Sequence, residues 1–303
     1  MISKNLFMYV LFFILVSITS NCLLSEDINI TKQTKNLNYR GPFQFIGKNA
    51  YTHVEKQLQF GHRIPGTIAS EKASLYISDV MKESYWHVEF QDFIHDGVAI
   101  RNIIAKNDSL NPKIILGTHY DTRKFSDQES EDKKKNLPVP GANDGASGTS
   151  VLLELGRIIP PDMSIWLVFF DAEDQGNING WDWSVGSRYF VNHLEFLPKS
   201  VVIIDMIGDK DLKIFREKNS DEVISNQIWT IAEELGNDKV FIDQEKYAMI
   251  DDHLPFIEKG IPASLIIDFD YPYWHTIEDT LDKISPESLQ SVGDVLVRWL
   301  TEQ

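Results

Sequence analysis

Cysteine is all but missing: the 303-residue chain has one, Cys22. No intrachain disulfide can form, so the chain beyond Cys22 must be held by its core alone. Basic residues are also scarce, with 29 Lys and Arg against 45 Asp and Glu, a formal net charge of −16 at pH 7. Phosphate-binding surfaces need clustered Lys and Arg, so nucleic acid is excluded as a partner. The densest basic run, Lys133-Lys134-Lys135, stands among Glu129, Glu131 and Asp132 and reads as a solvated loop. One apolar run, Leu6 to Ile18, comes near membrane-spanning character, and it is too short for a good transmembrane helix.

That run has a role of its own. Lys4 supplies a positive flank, and Ser20-Asn21-Cys22 follows with small or polar residues. Residues 1–22 therefore read as a signal peptide, which predicts an exported protein, periplasmic or on the cell surface. Two readings stay open: lipidation of Cys22, which would attach the chain to a membrane, or plain cleavage nearby. Residues 23–40 are polar and aperiodic and suit a tether. Residues 41–303 remain for the catalytic domain, and a hydrophobic content of 43% is ordinary for a chain with a real core.

Along that domain, helical apolar spacing marks residues 43–60, 70–85, 149–159, 186–193, 222–235 and 285–300, with Pro286 in the first turn of the last. Strand-like runs cover residues 88–93, 101–105, 113–118, 165–170, 201–204 and 263–267. A short helix is expected from Asp251 through Lys259. The alternation predicts a single-domain α/β sandwich with a mostly parallel, mixed central sheet flanked by helices.

The strand-like runs end in chemistry-bearing residues. Ile165 to Phe170 runs into Asp171-Ala172-Glu173-Asp174-Gln175-Gly176. A Glu-Asp pair there can divide two tasks, one carboxylate holding a cation and the other handling a proton. His119, Asp121, Asp144, Asp205 and His275 follow other runs or adjoin them. Parallel strands share their carboxyl ends, so all should gather along one sheet edge. Imidazole and carboxylate donors without thiolate suit catalytic zinc, which keeps a coordination position open.

In order, the segments HYD, GANDGASG, FFDAED, IIDMIG and WHT resemble the co-catalytic zinc exopeptidases of metallopeptidase family 28 and their relatives, the glutaminyl-peptide cyclotransferases. The resemblance runs from about Arg63 to the C-terminus. It implies that Asp144, Asp174 and His275 bind one Zn2+. His119 and Asp205, with Asp144 as bridge, would bind a second where that site is filled. Glu173 would be the general acid/base, with Asp121 orienting His119. The usual acid pair is Glu-Glu, and Glu173-Asp174 departs from it by one methylene. The segment DDHLPF from Asp251 resembles the cyclotransferase branch, in which the first Asp belongs to a proton relay. Trp274 resembles the tryptophan that walls its pocket, and residues 63–67 and 181–188 lean the same way. Asn143-Asp144-Gly145 leans toward the aminopeptidases.

Plainer roles remain open at several positions. Asp251 could cap the helix beside it, and Trp274 could be core. Trp181 and Trp183 read as rim or partner surface, and Asp171 as support for the strand end or a helix cap. His62, His87, His193 and His253 lack acidic company, except that His253 follows two acids. Three functions are weighed: zinc-dependent cyclisation of N-terminal glutamine to pyroglutamate with Glu173, Asp205 and Asp251 in catalytic roles, di-zinc aminopeptidase action, and a non-catalytic peptide-binding lipoprotein. In each, the partners are peptides or proteins with a free N-terminus.

Overall fold

The computed structural model describes residues 44–107 and 109–303. The expected signal segment, Cys22 and the tether lie outside them. No helix among the described residues is long and apolar enough to cross a membrane.

The elements, in chain order, are α1 (Gly47–Leu58), α2 (Ile68–Glu83), β1 (His87–His95), β2 (Val98–Lys106), β3 (Ile114–His119), α3 (Ala146–Ile158), β4 (Ile165–Phe170), α4 (Val185–Asn192), β5 (Ser200–Asp205), β6 (Ile214–Arg216), α5 (Glu222–Glu234), β7 (Phe241–Glu245), α6 (Leu254–Glu258), β8 (Ala263–Ile267) and α7 (Pro286–Thr301). Helix starts follow local chemistry. The Thr67 hydroxyl accepts from Ser70 N–H, Asp221 from Val223 and Ile224 N–H, and Ser285 from Ser288 N–H.

Six strands form one sheet in the order β1-β2-β4-β3-β5-β8. β1, β2 and β4 pair antiparallel, whereas β4, β3, β5 and β8 run parallel. The parallel strands are buried on both faces, which is why they read as continuous apolar runs. Along β4, Ile165, Leu167 and Phe169 enter one core with α1, α2, α3, α5 and α7. Trp166, Val168 and Phe170 enter another beneath α4 and α6. The result is the expected α/β sandwich with a mostly parallel central sheet.

Residues 208–253 contain what periodicity does not show. β6 and β7 pair as a separate two-stranded parallel sheet with an irregular register at Arg216. These strands are short, and β7 is polar and largely exposed, so neither carries an apolar run. α6 is also shorter than expected, beginning at Leu254 after the N-cap His253.

Candidate functional site

The strand order places β3 centrally, with β4 on one side and β5 on the other. A crevice at the carboxyl ends of parallel strands is expected where connections diverge in this way. His119 ends β3, Asp205 ends β5, and Glu173 and Asp174 follow β4. Asp144 arrives just ahead of α3, and His275 lies in the loop beyond β8. All six are buried.

Two triads share Asp144. Ligand atoms of His119, Asp144 and Asp205 lie within 4.8 Å of one another, as do those of Asp144, Asp174 and His275. His119 Nε2 is 3.2 Å from Asp144 Oδ1 and 2.9 Å from Asp205 Oδ1. His275 Nε2 is 2.9 Å from Asp174 Oδ1 and 3.7 Å from Asp144 Oδ2. The shorter acid at position 174 therefore reaches its histidine, with Arg123 Nη1 donating to the Asp174 carbonyl at 3.0 Å.

The outward nitrogens of both imidazoles face carboxylates. His119 Nδ1 is 3.3 Å from Asp121 Oδ1, and His275 Nδ1 is 3.0 Å from Asp127 Oδ1. Such partners fix ring orientation and leave Nε2 for an electrophile. Asp121 also accepts from the N–H groups of Glu173 and Asp174 and from Gln175 Nε2, so one carboxylate organises two strand ends. Asp127 is absent from the sequence expectation. The loop read as merely solvated also brings Glu129 inward, where it accepts from Ile277 N–H. Lys133, Lys134 and Lys135 do pair outside it with Glu131 and Asp132.

Backbone strain concentrates here. Ala172, Met206 and His275 have φ of 59°, 46° and 54°, left-handed values that cost a non-glycine residue energy. Each adjoins or is a site residue. Gly145 has φ of 88°, and a Cβ there would come within 2.5 Å of the Asp121 carbonyl, so glycine is required. Asp279 receives Asn143 N–H and Asp144 N–H at 2.9 and 3.1 Å and fixes the approach of the shared acid. Buried Arg63 donates to the carbonyls of Tyr120, Pro140 and Gly141, tying the loop after β3 to the segment that carries Asp144.

Protonation reflects this crowding. Burial alone would lower the His119 imidazole, but the Asp205 charge and bonds to Asp121, Asp144 and Asp205 raise it well above its usual range. Burial would likewise lower His275, yet Asp174 and Asp127 raise it to about 9. Burial and the neighbouring Asp144 charge raise Asp174 to about 6. Glu173 is pushed well above the carboxylate range by burial first and by Asp251 next. Asp251 is raised by burial and then by Asp205 and Asp252. A site that holds protons among so many acids is short of positive charge.

The residues fit a divalent cation on that ground and on a second. Asp144 Oδ2 and Asp174 Oδ2 are buried and have no hydrogen-bond partner among the described residues. Buried carboxylate oxygens left unpaired are costly, and coordination would satisfy them. Nitrogen and oxygen donors with three protein ligands per position suit zinc with an open coordination position.

Beside the triads lies a pocket of about 160 Å³. Glu173, Asp205 and Asp251 line its acidic side, and Met206, Met249, Ile250, Ile267 and Phe269 its apolar side. Trp274 is half-buried on the wall, stacked on His275 at 3.8 Å and packed against the core beneath α4 and α6. Trp183, half-buried, also lines the pocket: its ring lies 6.0 Å from His275 at 17°, with the Arg123 guanidinium 4.8 Å away. Gly176 makes room for that indole, since a Cβ would overlap it. Trp181 instead packs edge-on against His95. Asp251 does not cap α6, because the N-cap position is His253 and no side chain bonds there. Asp171 supports the strand end by accepting from Arg101 N–H. His253 is buried against Glu217, while His62, His87 and His193 are exposed.

Comparison with known proteins agrees with this geometry. The family model described as Peptidase family M28 matches residues 102–300. Aminopeptidase YwaD of Bacillus subtilis (strain 168) is 34% identical over 226 residues, 67% of this chain. The match spans 44% of that longer protein. Among solved structures, Porphyromonas gingivalis glutaminyl cyclase is 31% identical with a TM-score of 0.80, covering 86% of this chain and 99% of that one. A leucine aminopeptidase precursor from Bacteroides thetaiotaomicron VPI-5482 is 31% identical with a TM-score of 0.81, covering 88% and 99%. Both kinds of relative are enzymes, and with the family's pattern matched across most of the described fold, this chain belongs to peptidase family M28.

Proposed function

We propose that the protein is a zinc-dependent glutaminyl-peptide cyclotransferase-like enzyme, converting the N-terminal glutamine of peptides to pyroglutamate with release of ammonia. The observation that carries this reading is the pocket itself. A small cavity walled by Trp183, Trp274 and Phe269 meets Glu173 and Asp251, two buried acids whose charges act on each other. A small uncharged side chain suits such walls.

Asp144, Asp174 and His275 would hold the ion, which when bound supplies Lewis acidity to a carbonyl oxygen. The remaining work falls to the protein. The α-amine nitrogen attacks the side-chain amide carbon, forming a C–N bond, and the bond to the amide nitrogen breaks. Glu173 takes the proton released by the amine and returns one to the departing nitrogen, which leaves as ammonia. Its Oε1 accepts from Ser184 Oγ at 3.2 Å, which aims the carboxylate. Asp205 and Asp251, which line the same pocket, would steady the amine. Burial first, and then the Asp251 charge, raise the Glu173 proton affinity above that of an ordinary carboxylate, which favours its taking the proton from the amine.

A second reading, aminopeptidase action, is favoured by the complete second triad of His119, Asp144 and Asp205. There Glu173 would serve as base toward a hydrolytic water. Mass spectrometry of a Gln-initiated peptide, run beside Leu-naphthylamide and with metal analysis, separates the two. Loss of ammonia from the peptide with one zinc per chain is expected. Free leucine from a two-zinc protein, with the Gln peptide unchanged, would overturn the cyclotransferase reading.

A further inference from the structure

Glu217 takes no part in the chemistry above, yet it is 5% exposed and follows β6 directly. Its carboxylate accepts four hydrogen bonds. Two are local, from Asn219 N–H at 2.9 Å and Ser220 Oγ at 2.8 Å. Two reach far along the chain: Met249 N–H donates to Oε1 at 2.9 Å, and His253 Nε2 lies 3.1 Å from Oε2. Between those two attachments sit Ile250, Asp251 and Asp252, and Met249, Ile250 and Asp251 line the pocket. The residues from the end of β7 to the start of α6 have no helix or strand of their own. Backbone bonds from Lys218 N–H to Tyr247 O and from Lys246 N–H to Arg216 O brace their beginning. From Met249 onward, Glu217 supplies two attachments, beside one bond from Asn219 Nδ2 to the Met249 carbonyl at 3.3 Å.

We propose that Glu217 is a positioning residue: by holding Met249 and His253 it sets one wall of the pocket and the aim of Asp251. It thereby governs how tightly the substrate's N-terminal residue binds. The inference rests on the reading that this pocket receives that residue. Glu217 does not line the pocket and belongs to neither triad. A carboxylate spans all four donors, whereas an amide of equal size turns an N–H2 group against some of them and leaves buried donors unpaired.

The test uses the full chain with Glu217→Gln, His253→Ala and His253→Gln. The last keeps an N–H donor close to the position of Nε2. In Glu217→Gln and His253→Ala, hydrogen–deuterium exchange of a peptide covering residues 246–253 should quicken roughly tenfold, the loss of about one hydrogen bond to a charged acceptor. β3 and β5 should keep their protection, and metal content should stay unchanged. KM for a Gln-initiated peptide should rise about tenfold, more than kcat falls. His253→Gln should recover most of both effects. Unchanged exchange in residues 246–253, or exchange that rises throughout the fold while KM stays constant, would overturn the proposal. Should the wild-type protein act on neither Gln nor Leu substrates, the functional reading fails by itself. The exchange measurement then decides whether Glu217 holds this wall.

Discussion

Asp144 turns one carboxylate oxygen to each histidine, Oδ1 lying 3.2 Å from His119 Nε2 and Oδ2 3.7 Å from His275 Nε2. One side chain thus belongs to both candidate metal positions, and removing it should empty both. In Asp144→Ala, bound zinc after dialysis should drop to background by elemental analysis. His119→Ala should disturb only the position it shares with Asp205. Equal metal loss in the two variants would show that the positions are not independent. Retained zinc in Asp144→Ala would refute the shared-ligand arrangement.

Glu173 lies in the pocket but in neither triad. Its replacement should therefore separate chemistry from metal binding. For Glu173→Gln we expect kcat to fall roughly 10²- to 10⁴-fold, the range for losing a general acid–base group. Zinc content should match the wild type, and KM should change little. Wild-type turnover in this variant would remove Glu173 as the acid–base group.

Much of this arrangement was legible in the sequence because parallel strands announce themselves. Ile114–His119, Ile165–Phe170 and Ser200–Asp205 are buried on both faces, so their apolar runs are uninterrupted and their ends are sharp. Whatever follows such an end must lie at the crevice, which is how His119, Glu173, Asp174 and Asp205 were found together. Asp127 and Asp279 escaped because their roles are set by long-range contacts. Asp127 is an exposed loop residue 148 positions from the imidazole it faces. The direction of Trp183 was hidden for a related reason: an aromatic loop carries no period, and only its stacking beside His275 shows which way it points. β6 and β7 lack an apolar run altogether.

Asp279 offers a test of such hidden support. Its carboxylate accepts from Asn143 N–H, Asp144 N–H and Tyr271 Oη, and touches no position a metal would occupy. Removing it should let the segment before α3 relax and blunt the convergence on Asp144. For Asp279→Ala, zinc affinity should weaken roughly 10- to 100-fold, as for other groups that orient a ligand from behind. Competition with a chromogenic chelator measures it. Unaltered affinity would mean that Gly145 and Arg63 suffice to place Asp144.

Away from the site, His53 of α1 sets a pH limit on stability. Its Nδ1 lies 2.6 Å from Tyr76 Oη on α2, and the tyrosine, raised to about 12 by burial first, stays protonated. A neutral imidazole accepts that O–H. Burial lowers the His53 pKa below its usual 6.5, outweighing the opposing Glu154 charge. Below pH 6.5 the unfolded chain therefore binds more protons at this position than the folded one. Its stabilising contribution is complete above that pH and is lost as the pH falls toward the folded value. Asn carries no titrating group and can accept from Tyr76 near the Nδ1 position. Thermal unfolding followed from about pH 7.5 down to about pH 5 should show a shallower decline for His53→Asn than for the wild type. The two curves should differ by a constant amount above about pH 6.5. Parallel curves through the whole range would remove His53 as a source of acid sensitivity.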